Sequence, residues 1–519
     1  MTKKHMNRII AGIDIGSHAL RMKIVEVDKN GEIKTLEQLR HSVALGRDTY
    51  ATERVSFEAV DETCEILKGF KRLMNGYHIK NYRAAATSAI REAQNRDYIV
   101  DQIKLKTGFD IDVLSNAEER FLTYKAIREN LKNHQQIRKE GGMVIDIGAG
   151  SIEASVYRQG SLVISQNIRV GSLRIREVLS DIEERTLNFA KILEEYIESN
   201  TDRLKVLETV ETVDHFIGLG GEIQTINQLC SHDNEEEGYS FIHKKDFLRL
   251  YDKIIGKSTQ AIVEEYGIAY ERADVLLPSM IIFKKFMDMT NAKGIHAPMV
   301  SLKDGIVADL IDREFPTKRK EDFYGDILSS TRFLAKRYLY DQRHADDVEE
   351  KSLVIFDGLK KLHGLGDRER LLLQLSAILH DIGKFINFNE HYIHSYQIIM
   401  ASEILGISQE EMEIIANISR YHSKVTPRQS HENFSRLSEK NKVVTAKLIA
   451  IIRLADALDR SHRQKIKDIQ LQIEEKDVII KIDTDEDVLL EQWTFETKSE
   501  FFQEVFGYTP ILKTKRKVR

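Results

Sequence analysis

The sequence predicts an α/β protein in its first half, built from two related lobes, and a mostly helical second half. The tetrapeptide IDIG occurs twice, ending at Gly16 and at Gly148, 132 residues apart, each time closing an apolar run typical of a buried strand. Both copies are followed by segments of alternating apolar and polar residues, which indicate antiparallel strands. Glycine loops stop near Glu321, and amphipathic helical patterns dominate beyond it. Two matching acidic turns predict two lobes that face one cleft.

Length and composition restrict the class of protein. At 519 residues the chain exceeds the about 250–300 residues at which a single core stops growing. A net charge of −5 argues against binding nucleic acid non-specifically over the whole surface, and the sequence contains no run of 18 apolar residues that would span a membrane. Because the start lacks an apolar secretory segment and the two cysteines give no disulfide framework, we expect a cytoplasmic protein.

We expect four domains. Residues 1–135 and 136–318 form the two α/β lobes, residues 319–464 form a helical domain, and residues 465–519 form a small α/β domain in which strands precede a helix. Residues 300–308 are predicted to make a strand-to-helix turn at Asp304-Gly305.

The repeated turns indicate phosphate chemistry. Asp14 and Asp146 each end a predicted strand, and two such carboxylates can share one divalent cation, directly or through its water. Small residues beside them leave backbone N–H groups free to hold phosphate oxygens. The candidate phosphate-binding residues are Gly16, Ser17, Gly148, Gly150, Ser151, Gly220 and Gly221.

Three further charged positions lie between the repeats. Residues 82–90 are predicted to form a strand that leads into Arg91. Ser115 is predicted to cap a helix whose first turn holds Glu118 and Glu119. Taken alone, the two glutamates are explained by compensation of the helix dipole, and Arg91 by a cap or an ion pair.

Over nearly all of its residues the chain resembles the exopolyphosphatase/guanosine pentaphosphate phosphohydrolase family of the actin-like, sugar-kinase-like superfamily, in the long form with a C-terminal HD-type domain. The resemblance rests on IDIGSHALRMKIVE, ATSAIREA, VLSNAEERFLTYKAI, VIDIGAGSIE, FIGLGGEI and VSLKDGI, in the order and spacing of the family. It implies two RNase H-like lobes, Mg²⁺, a homodimer, and hydrolysis of terminal phosphate from inorganic polyphosphate or of the 5′ phosphate of a guanosine pentaphosphate alarmone.

The resemblance also implies roles for single residues. Glu119 becomes the base that deprotonates the attacking water, and Arg91 becomes a phosphate clamp, for which a guanidinium is suited because it spans two oxygens. Asp14, Asp146 and Glu153 become the residues around the Mg²⁺ ion.

Four positions depart from the pattern of the family, and they should weaken phosphate binding. Ala19, after Ser17-His18, lacks a hydroxyl donor, and Ala308 lacks the donors of an arginine. Ala149 replaces a glycine, and Glu222 adds a negative charge near the anion.

A separate motif lies in the second half. LLLQLSAILHDIGKF is an apolar helix that ends in His380-Asp381, and one such pair by itself is more often a structural hydrogen bond. The motif HDIGK resembles the HD phosphohydrolase superfamily. That resemblance implies a site for a divalent metal, with iron, manganese, zinc and nickel all suited to imidazole and carboxylate ligands. The implied ligands are His344, His380, Asp381, His394, His422 and Asp456. The alternative is a helical domain of HD type without metal that serves structure and a substrate channel.

Four hypotheses follow for the function. The first is exopolyphosphatase activity in the cleft between the lobes. The second is hydrolysis of a nucleotide or alarmone at the HD-type site. The third is a sensor that binds polyphosphate or an alarmone with weak or lost turnover, and the fourth is a sugar kinase.

Overall fold

The computed structural model describes residues 8–28, 31–131, 134–183, 185–186, 188–201, 213–230, 240–314 and 319–514. The chain divides into two compact units, Met1–Asp326 and Ile327–Arg519. None of the helices within these described ranges has the length and apolar character needed to span a membrane.

The first unit contains two mixed sheets. The strands of the first sheet are β1 (Arg8–Ile15), β2 (Ala19–Val27), β3 (Ile33–Ser42), β4 (Asn81–Ala86) and β5 (Ile111–Val113), in the spatial order β3-β2-β1-β4-β5. The strands of the second sheet are β6 (Gly142–Ile147), β7 (Ile152–Arg158), β8 (Ser161–Ile168), β9 (His215–Gly220), β10 (Phe241–His243) and β11 (Gly294–His296), in the order β10-β11-β9-β6-β7-β8.

The same arrangement recurs in both sheets, as the repeated sequence predicts. β1 pairs antiparallel with β2 and parallel with β4, and β6 pairs antiparallel with β7 and parallel with β9. β1 and β6 are therefore central strands, which explains why their sequences are nearly continuous apolar runs. Their carboxyl ends carry Asp14 and Asp146.

The helices of the first unit surround these sheets. They are α1 (Leu45–Thr52), α2 (Phe57–Gly76), α3 (Ser88–Glu92), α4 (Arg96–Thr107), α5 (Asn116–Asn130), α6 (His134–Glu140), α7 (Ser172–Glu183), α8 (Phe189–Thr201), α9 (Ile223–Cys230), α10 (Lys244–Ile254), α11 (Thr259–Tyr266), α12 (Tyr270–Met287) and α13 (Leu302–Glu314). Helix α14 (Arg319–Arg337) contains the boundary between the units.

Two predicted elements differ from the structure. The strand predicted for residues 82–90 ends at Ala86, and α3 begins at Ser88, so that Arg91 lies on a short helix. The predicted strand-to-helix turn at Asp304-Gly305 is wrong, because both residues lie inside α13. A Cβ on Gly305 would lie 1.9 Å from the carbonyl oxygen of Leu122 in α5, so this glycine permits close contact between two helices rather than a turn.

The second unit combines helices with one small sheet. Its remaining helices are α15 (Gln342–Gly358), α16 (Lys360–His363), α17 (Asp367–Leu379), α18 (His391–Met400), α19 (Gln409–Tyr421), α20 (Glu432–Ser435), α21 (Glu439–Ala457) and α22 (Leu489–Phe506), with a 3₁₀ turn at Ile382–Phe385. Strands β12 (Asp468–Glu474), β13 (Asp477–Asp483) and β14 (Thr509–Thr514) form the sheet β12-β13-β14. Helix α22 lies between β13 and β14 in the chain, so one strand of this sheet follows the helix rather than preceding it as predicted.

Candidate functional site

Asp14 and Asp146 hold equivalent positions at the ends of the two central strands. In the register of the sheets, Asp14 lies opposite Arg21 of β2, and Asp146 lies opposite Glu153 of β7. The turns that follow are also equivalent. The N–H of Gly16 donates to the carbonyl of Ala19 (3.1 Å), and the N–H of Gly148 donates to the carbonyl of Ser151 (2.8 Å).

The end of β9 lies against the second aspartate. Gly220 and Gly221 have φ angles of +59° and +48°, a conformation that a residue with a side chain rarely adopts. A Cβ on Gly220 would lie 2.2 Å from the carbonyl oxygen of Ile147 and 2.8 Å from Oδ1 of Asp146. This turn therefore passes directly over the carboxylate of Asp146.

The two aspartates have different electrostatic surroundings. Nη1 of Arg21 donates to Oδ2 of Asp14 at 3.1 Å, and Asp14 is 3% exposed. Desolvation raises the pKa of Asp14, and Arg21 opposes this rise. Desolvation and the negative charge of Glu119 raise the pKa of Asp146 to about 7. The cleft therefore combines one aspartate that has a cationic partner with one that is close to other carboxylates.

Glu119 lies in the first turn of α5, where the sequence places it. Ser115 caps this helix, and the side chain of Glu118 completes the capping box by accepting from the backbone N–H of Ser115 at 3.0 Å. Glu118 therefore stabilises the helix start, which leaves Glu119 to other partners. Oε2 of Glu119 lies 3.0 Å from Nη1 of Arg91, and the same nitrogen donates to the carbonyl of Leu114 at 2.7 Å.

Glu119 also lies close to the acidic strand ends. Its charge contributes to raising the pKa of Asp14, Asp146 and Glu153. The structure thus brings together the predicted base, the predicted clamp Arg91 and the two strand-end aspartates.

Both oxygens of Glu153 have protein partners. Oε2 accepts from Nη1 of Arg120 at 2.5 Å, and Oε1 accepts from the amide of Asn167. Desolvation raises the pKa of Glu153 to about 8, although Arg120 and Asn167 oppose the rise. Because Arg120 and Asn167 already occupy both oxygens of Glu153, the carboxylates of Asp14 and Asp146 fit a Mg²⁺ ion better than Glu153 does.

A hydroxyl cluster lies beside the first glycine turn. Oγ of Ser17 lies 3.0 Å from the hydroxyl of Tyr50 and 3.2 Å from Oγ of Ser88, and these two hydroxyls lie 2.8 Å apart. Tyr50 also explains the glycine at position 150, because a Cβ on Gly150 would lie 2.3 Å from the hydroxyl oxygen of Tyr50. Ser17 and Gly150, both predicted to bind phosphate, therefore meet at one aromatic side chain.

Arg174 of α7 contacts residues of both lobes next to this hydroxyl cluster. Its Nε donates to the carbonyl of Gly150 at 2.7 Å, and its guanidinium also pairs with Glu92 and lies over the ring of Tyr50 at 4.5 Å. The sequence did not single out Arg174, because its partners are distant in the chain.

The departures from the family pattern have specific surroundings. Glu222 has a φ of +56° and accepts from the hydroxyl of Thr225 at 2.7 Å, with Nε of Arg272 at 3.8 Å. Its negative charge is therefore partly offset. Burial, together with Arg21 and other arginines, lowers the pKa of His18 to about 4, which keeps this ring neutral. Ala308 is buried in α13 and offers no donor.

A second group of acidic and imidazole side chains lies in the second unit. His344 on α15, His380 and Asp381 after α17, His422 after α19 and Asp456 on α21 are all buried. Nε2 of His344 lies 3.2 Å from Nε2 of His380 and 3.3 Å from Oδ1 of Asp456. These five residues, together with His391 of α18, are called the histidine–aspartate centre below.

Asp381 faces two sets of imidazoles. Its Oδ2 lies 3.5 Å from Nε2 of His380 and 3.7 Å from Nε2 of His344. Its Oδ1 lies 3.1 Å from Nε2 of His391 and 3.5 Å from Nε2 of His422. Donor atoms about 2 Å from a shared ion lie about 3 Å apart, so each set has a spacing that suits one divalent metal.

All four imidazoles are oriented by their other nitrogen. Nδ1 of His344 lies 2.8 Å from Oδ2 of Asp459. In the other three rings Nδ1 lies next to a backbone carbonyl: Ala377 for His380 (2.7 Å), Phe388 for His391 (3.1 Å) and Ser419 for His422 (2.6 Å). An imidazole whose Nδ1–H is donated in this way presents its Nε2 lone pair, which is the arrangement of metal-ligating histidines.

The pKa values of two of these imidazoles agree with a metal site, and that of a third does not. Burial lowers the pKa of His380 to about 3, which favours the neutral ring that metal binding requires, and burial also lowers the pKa of His422. The pKa of His344 is raised to about 9 because hydrogen bonds to Asp456 and Asp459 outweigh the effect of its burial.

His394 is not part of the centre. It is partly exposed, and its Nδ1 lies 3.4 Å from the side chain of Gln397. His391, three residues earlier on α18, contributes the imidazole instead. The sequence contained both histidines in EHYIHSYQ and could not distinguish them, because the direction in which α18 enters the fold decides which one points inward.

Lysines approach the centre as well. Nζ of Lys384 pairs with Oδ2 of Asp381, and Nζ of Lys498 pairs with Oδ2 of Asp456. The sequence indicated Lys384 through the HDIGK motif, but it gave no signal for Lys498, which lies on α22.

The two related sheets, each with an aspartate at the carboxyl end of its central strand, define a two-lobed α/β fold. A model of the Ppx/GppA phosphatase family matches residues 24–314, and a model of domain III of Ppx/GppA phosphatase matches residues 328–499. The chain belongs to the Ppx/GppA phosphatase family.

Known proteins similar to this chain carry different names. The guanosine-5'-triphosphate,3'-diphosphate pyrophosphatase of Vibrio atlanticus is 22% identical over 461 residues, which is 88% of this chain and 87% of that protein. The bifunctional 3-dehydroquinate synthase/phosphatase of Fusobacterium nucleatum is 26% identical over 327 residues, which is 60% of this chain but only 47% of that protein. The crystal structure of an exopolyphosphatase from Cytophaga hutchinsonii aligns with a TM-score of 0.53 at 19% identity, over 59% of this chain and 98% of its own. This last likeness shows the fold alone.

Proposed function

We propose that the first unit hydrolyses phosphoanhydride bonds and that its main substrate is inorganic polyphosphate, with guanosine pentaphosphate as a second substrate. The observation that carries the proposal is the placement of Glu119. Its carboxylate is held by Arg91 and lies close to the aspartates that end the two central strands. The name of the Vibrio atlanticus relative supports guanosine pentaphosphate, whereas the choice of polyphosphate as the main substrate rests on the resemblance of the sequence motifs.

In the proposed reaction Glu119 accepts a proton from water, whose oxygen forms a bond to the terminal phosphorus while the bond from that phosphorus to the bridging oxygen breaks. Arg91 binds oxygens of the transferred phosphate, and the backbone N–H groups of the glycine turns bind the following phosphates. Asp14 and Asp146 are the residues that would hold Mg²⁺, which when bound offsets negative charge on the phosphates.

The test is an assay of phosphate release from long-chain polyphosphate, guanosine pentaphosphate and a nucleoside triphosphate, with wild type and Glu119→Gln. We expect release from polyphosphate or guanosine pentaphosphate by wild type and its loss in the variant. Equal release by both proteins would contradict the assignment of Glu119. Tight binding of polyphosphate without release by wild type would instead favour the sensor.

A second activity is supported by the orientation of the four histidines in the second unit. We propose that the histidine–aspartate centre is of HD type and binds divalent metal, with His344, His380, Asp381 and Asp456 as one set of ligands. Asp381, His391 and His422 form the other set. Metal bound there would supply an activated water for hydrolysis of a nucleotide or alarmone.

This second proposal has its own test. Metal analysis of the purified protein should find Mn, Fe, Zn or Ni in wild type and a loss of that metal in His380→Ala. If the centre also hydrolyses nucleotides, Asp381→Ala abolishes that turnover and Glu119→Gln leaves it intact. Equal metal content in wild type and His380→Ala would contradict the proposal.

A homodimer is proposed from the family resemblance, and light scattering on the full chain measures its molar mass.

A further inference from the structure

Lys498 is a buried lysine that reaches the histidine–aspartate centre from a part of the chain outside the helices that carry the other residues of the centre. It lies in the middle of α22 and is 7% exposed. Its Nζ pairs with Oδ2 of Asp456, 42 residues away in sequence, and donates to the backbone carbonyl of His422 at 3.1 Å. One ammonium group thus contacts residues from both proposed ligand sets.

A second residue on the same face of α22 holds this helix against the segment that follows α21. Glu491 lies seven residues earlier, on the same side of the helix, and is fully buried. Its Oε1 accepts from the backbone N–H of Ser461 at 3.2 Å, and Lys465 lies 3.4 Å from its Oε2. These contacts hold α22 beside the end of α21, so the position of Lys498 is determined by packing.

The two carboxylate oxygens of Asp456 have different partners, and Lys498 is the partner of one of them. Oδ1 of Asp456 lies 3.3 Å from Nε2 of His344 and 3.7 Å from Nε2 of His380, while Oδ2 points to the ammonium. A carboxylate held in this way can offer a single oxygen to a metal. A positive charge beside its other oxygen also opposes binding of a cation.

We propose that Lys498 is a positioning residue of the histidine–aspartate centre, which restricts Asp456 to one ligand oxygen and lowers the affinity of the centre for divalent metal. This inference rests on the proposal that the centre binds metal. A purely structural ion pair predicts something different, because it would stabilise the metal-free and the metal-loaded protein equally and would leave metal affinity unchanged.

The test compares Mn²⁺ binding isotherms of the full chain after removal of metal with a chelator. The proteins are wild type, Lys498→Met, Lys498→Arg and His380→Ala, the last of which reports binding at other sites. We expect Lys498→Met to bind Mn²⁺ at least about tenfold more tightly, or about 1.4 kcal/mol. The same variant should have a lower melting temperature without metal and a larger rise in melting temperature on adding Mn²⁺. Lys498→Arg, which keeps the charge, should bind like wild type.

Lys447 provides a matched control, because its Nζ donates to the carbonyl of His363 at 2.8 Å. Lys447→Met should leave the Mn²⁺ affinity unchanged. If Lys498→Met does not fold, Lys498→Gln decides the question, since its amide can still donate to Asp456 without the charge. Unchanged or weaker Mn²⁺ binding by the folded variant overturns the role of Lys498. Coincident isotherms of wild type and His380→Ala overturn the metal centre itself, and with it this inference.

Discussion

Arg21 and Glu153 occupy the same position in the two halves of the first unit and carry opposite formal charge. Each lies on the strand next to a central strand, directly opposite the aspartate that ends it. Arg21 pairs with Asp14, whereas Glu153 turns to Arg120 and Asn167. The repeated scaffold therefore places a basic residue opposite Asp14 and an acidic residue opposite Asp146.

The two neighbouring glutamates of α5 should differ sharply in function. Glu119→Gln removes the proposed base and should reduce phosphate release by about 10²–10⁴-fold, the usual contribution of a general base. Glu118→Gln should stay close to wild type, because glutamine can also complete a capping box with Ser115. Steady-state phosphate release with both variants measures this. Similar losses in the two would show that the helix start, rather than a base, is what matters.

The stability of the first unit should fall with increasing pH through Glu153. The folded protein raises the pKa of this carboxyl from 4.5 to about 8, so the folded state binds more protons than the unfolded state between these values. This contribution to stability is fully present below pH 4.5 and is lost as the pH rises to about 8.

Thermal unfolding in chelator at pH 5.5 and pH 8 tests this dependence. Glu153→Gln cannot ionise, so its melting temperature at pH 8 should drop less than that of wild type, by about 2 °C or more. Glu65→Gln, at an exposed position on α2, serves as the control and should follow wild type. An equal drop in wild type and Glu153→Gln would contradict the prediction.

Gly220 should tolerate no side chain. Gly220→Ala places a methyl group 2.2 Å from the carbonyl oxygen of Ile147 and 2.8 Å from Oδ1 of Asp146, at a φ of +59°. Gly267→Ala is the matched control, because Gly267 has a φ of +64° but no atom within 4 Å of its Cβ position. The control should cost about 1 kcal/mol from backbone conformation alone. Gly220→Ala should cost more and should also lose phosphate release, as measured by denaturant unfolding and turnover.

The two histidines of α18 should differ in metal binding. His391→Ala removes the imidazole whose Nε2 lies 3.1 Å from Oδ1 of Asp381, so the protein should bind less metal or bind it more weakly by about tenfold or more. His394→Ala should bind metal as wild type does, since its ring lies beside Gln397. Elemental analysis after equilibration with Mn²⁺ measures both. A loss confined to His394→Ala would contradict the arrangement of the centre.

Local sequence patterns predicted a large part of the first unit. Apolar runs ending in an aspartate predicted the central strands, and Ser115 followed by Glu118 predicted the start of α5, because strands, caps and turns depend on residues close together in the chain. Gly305 shows the limit of such patterns. Asp-Gly commonly marks a turn, but here the glycine lies inside a helix because another helix packs against it.

The sequence by itself determined the repeated acidic turns, the position of Glu119 at a helix start and the presence of His380-Asp381 after an apolar helix. Only the tertiary structure decided that Glu153 pairs with Arg120, that His391 rather than His394 reaches Asp381, and that Lys498 contacts Asp456. The physical reason is the same in each case. These contacts join residues from different helices and strands, so they depend on how the elements pack, which no periodicity within a single element records.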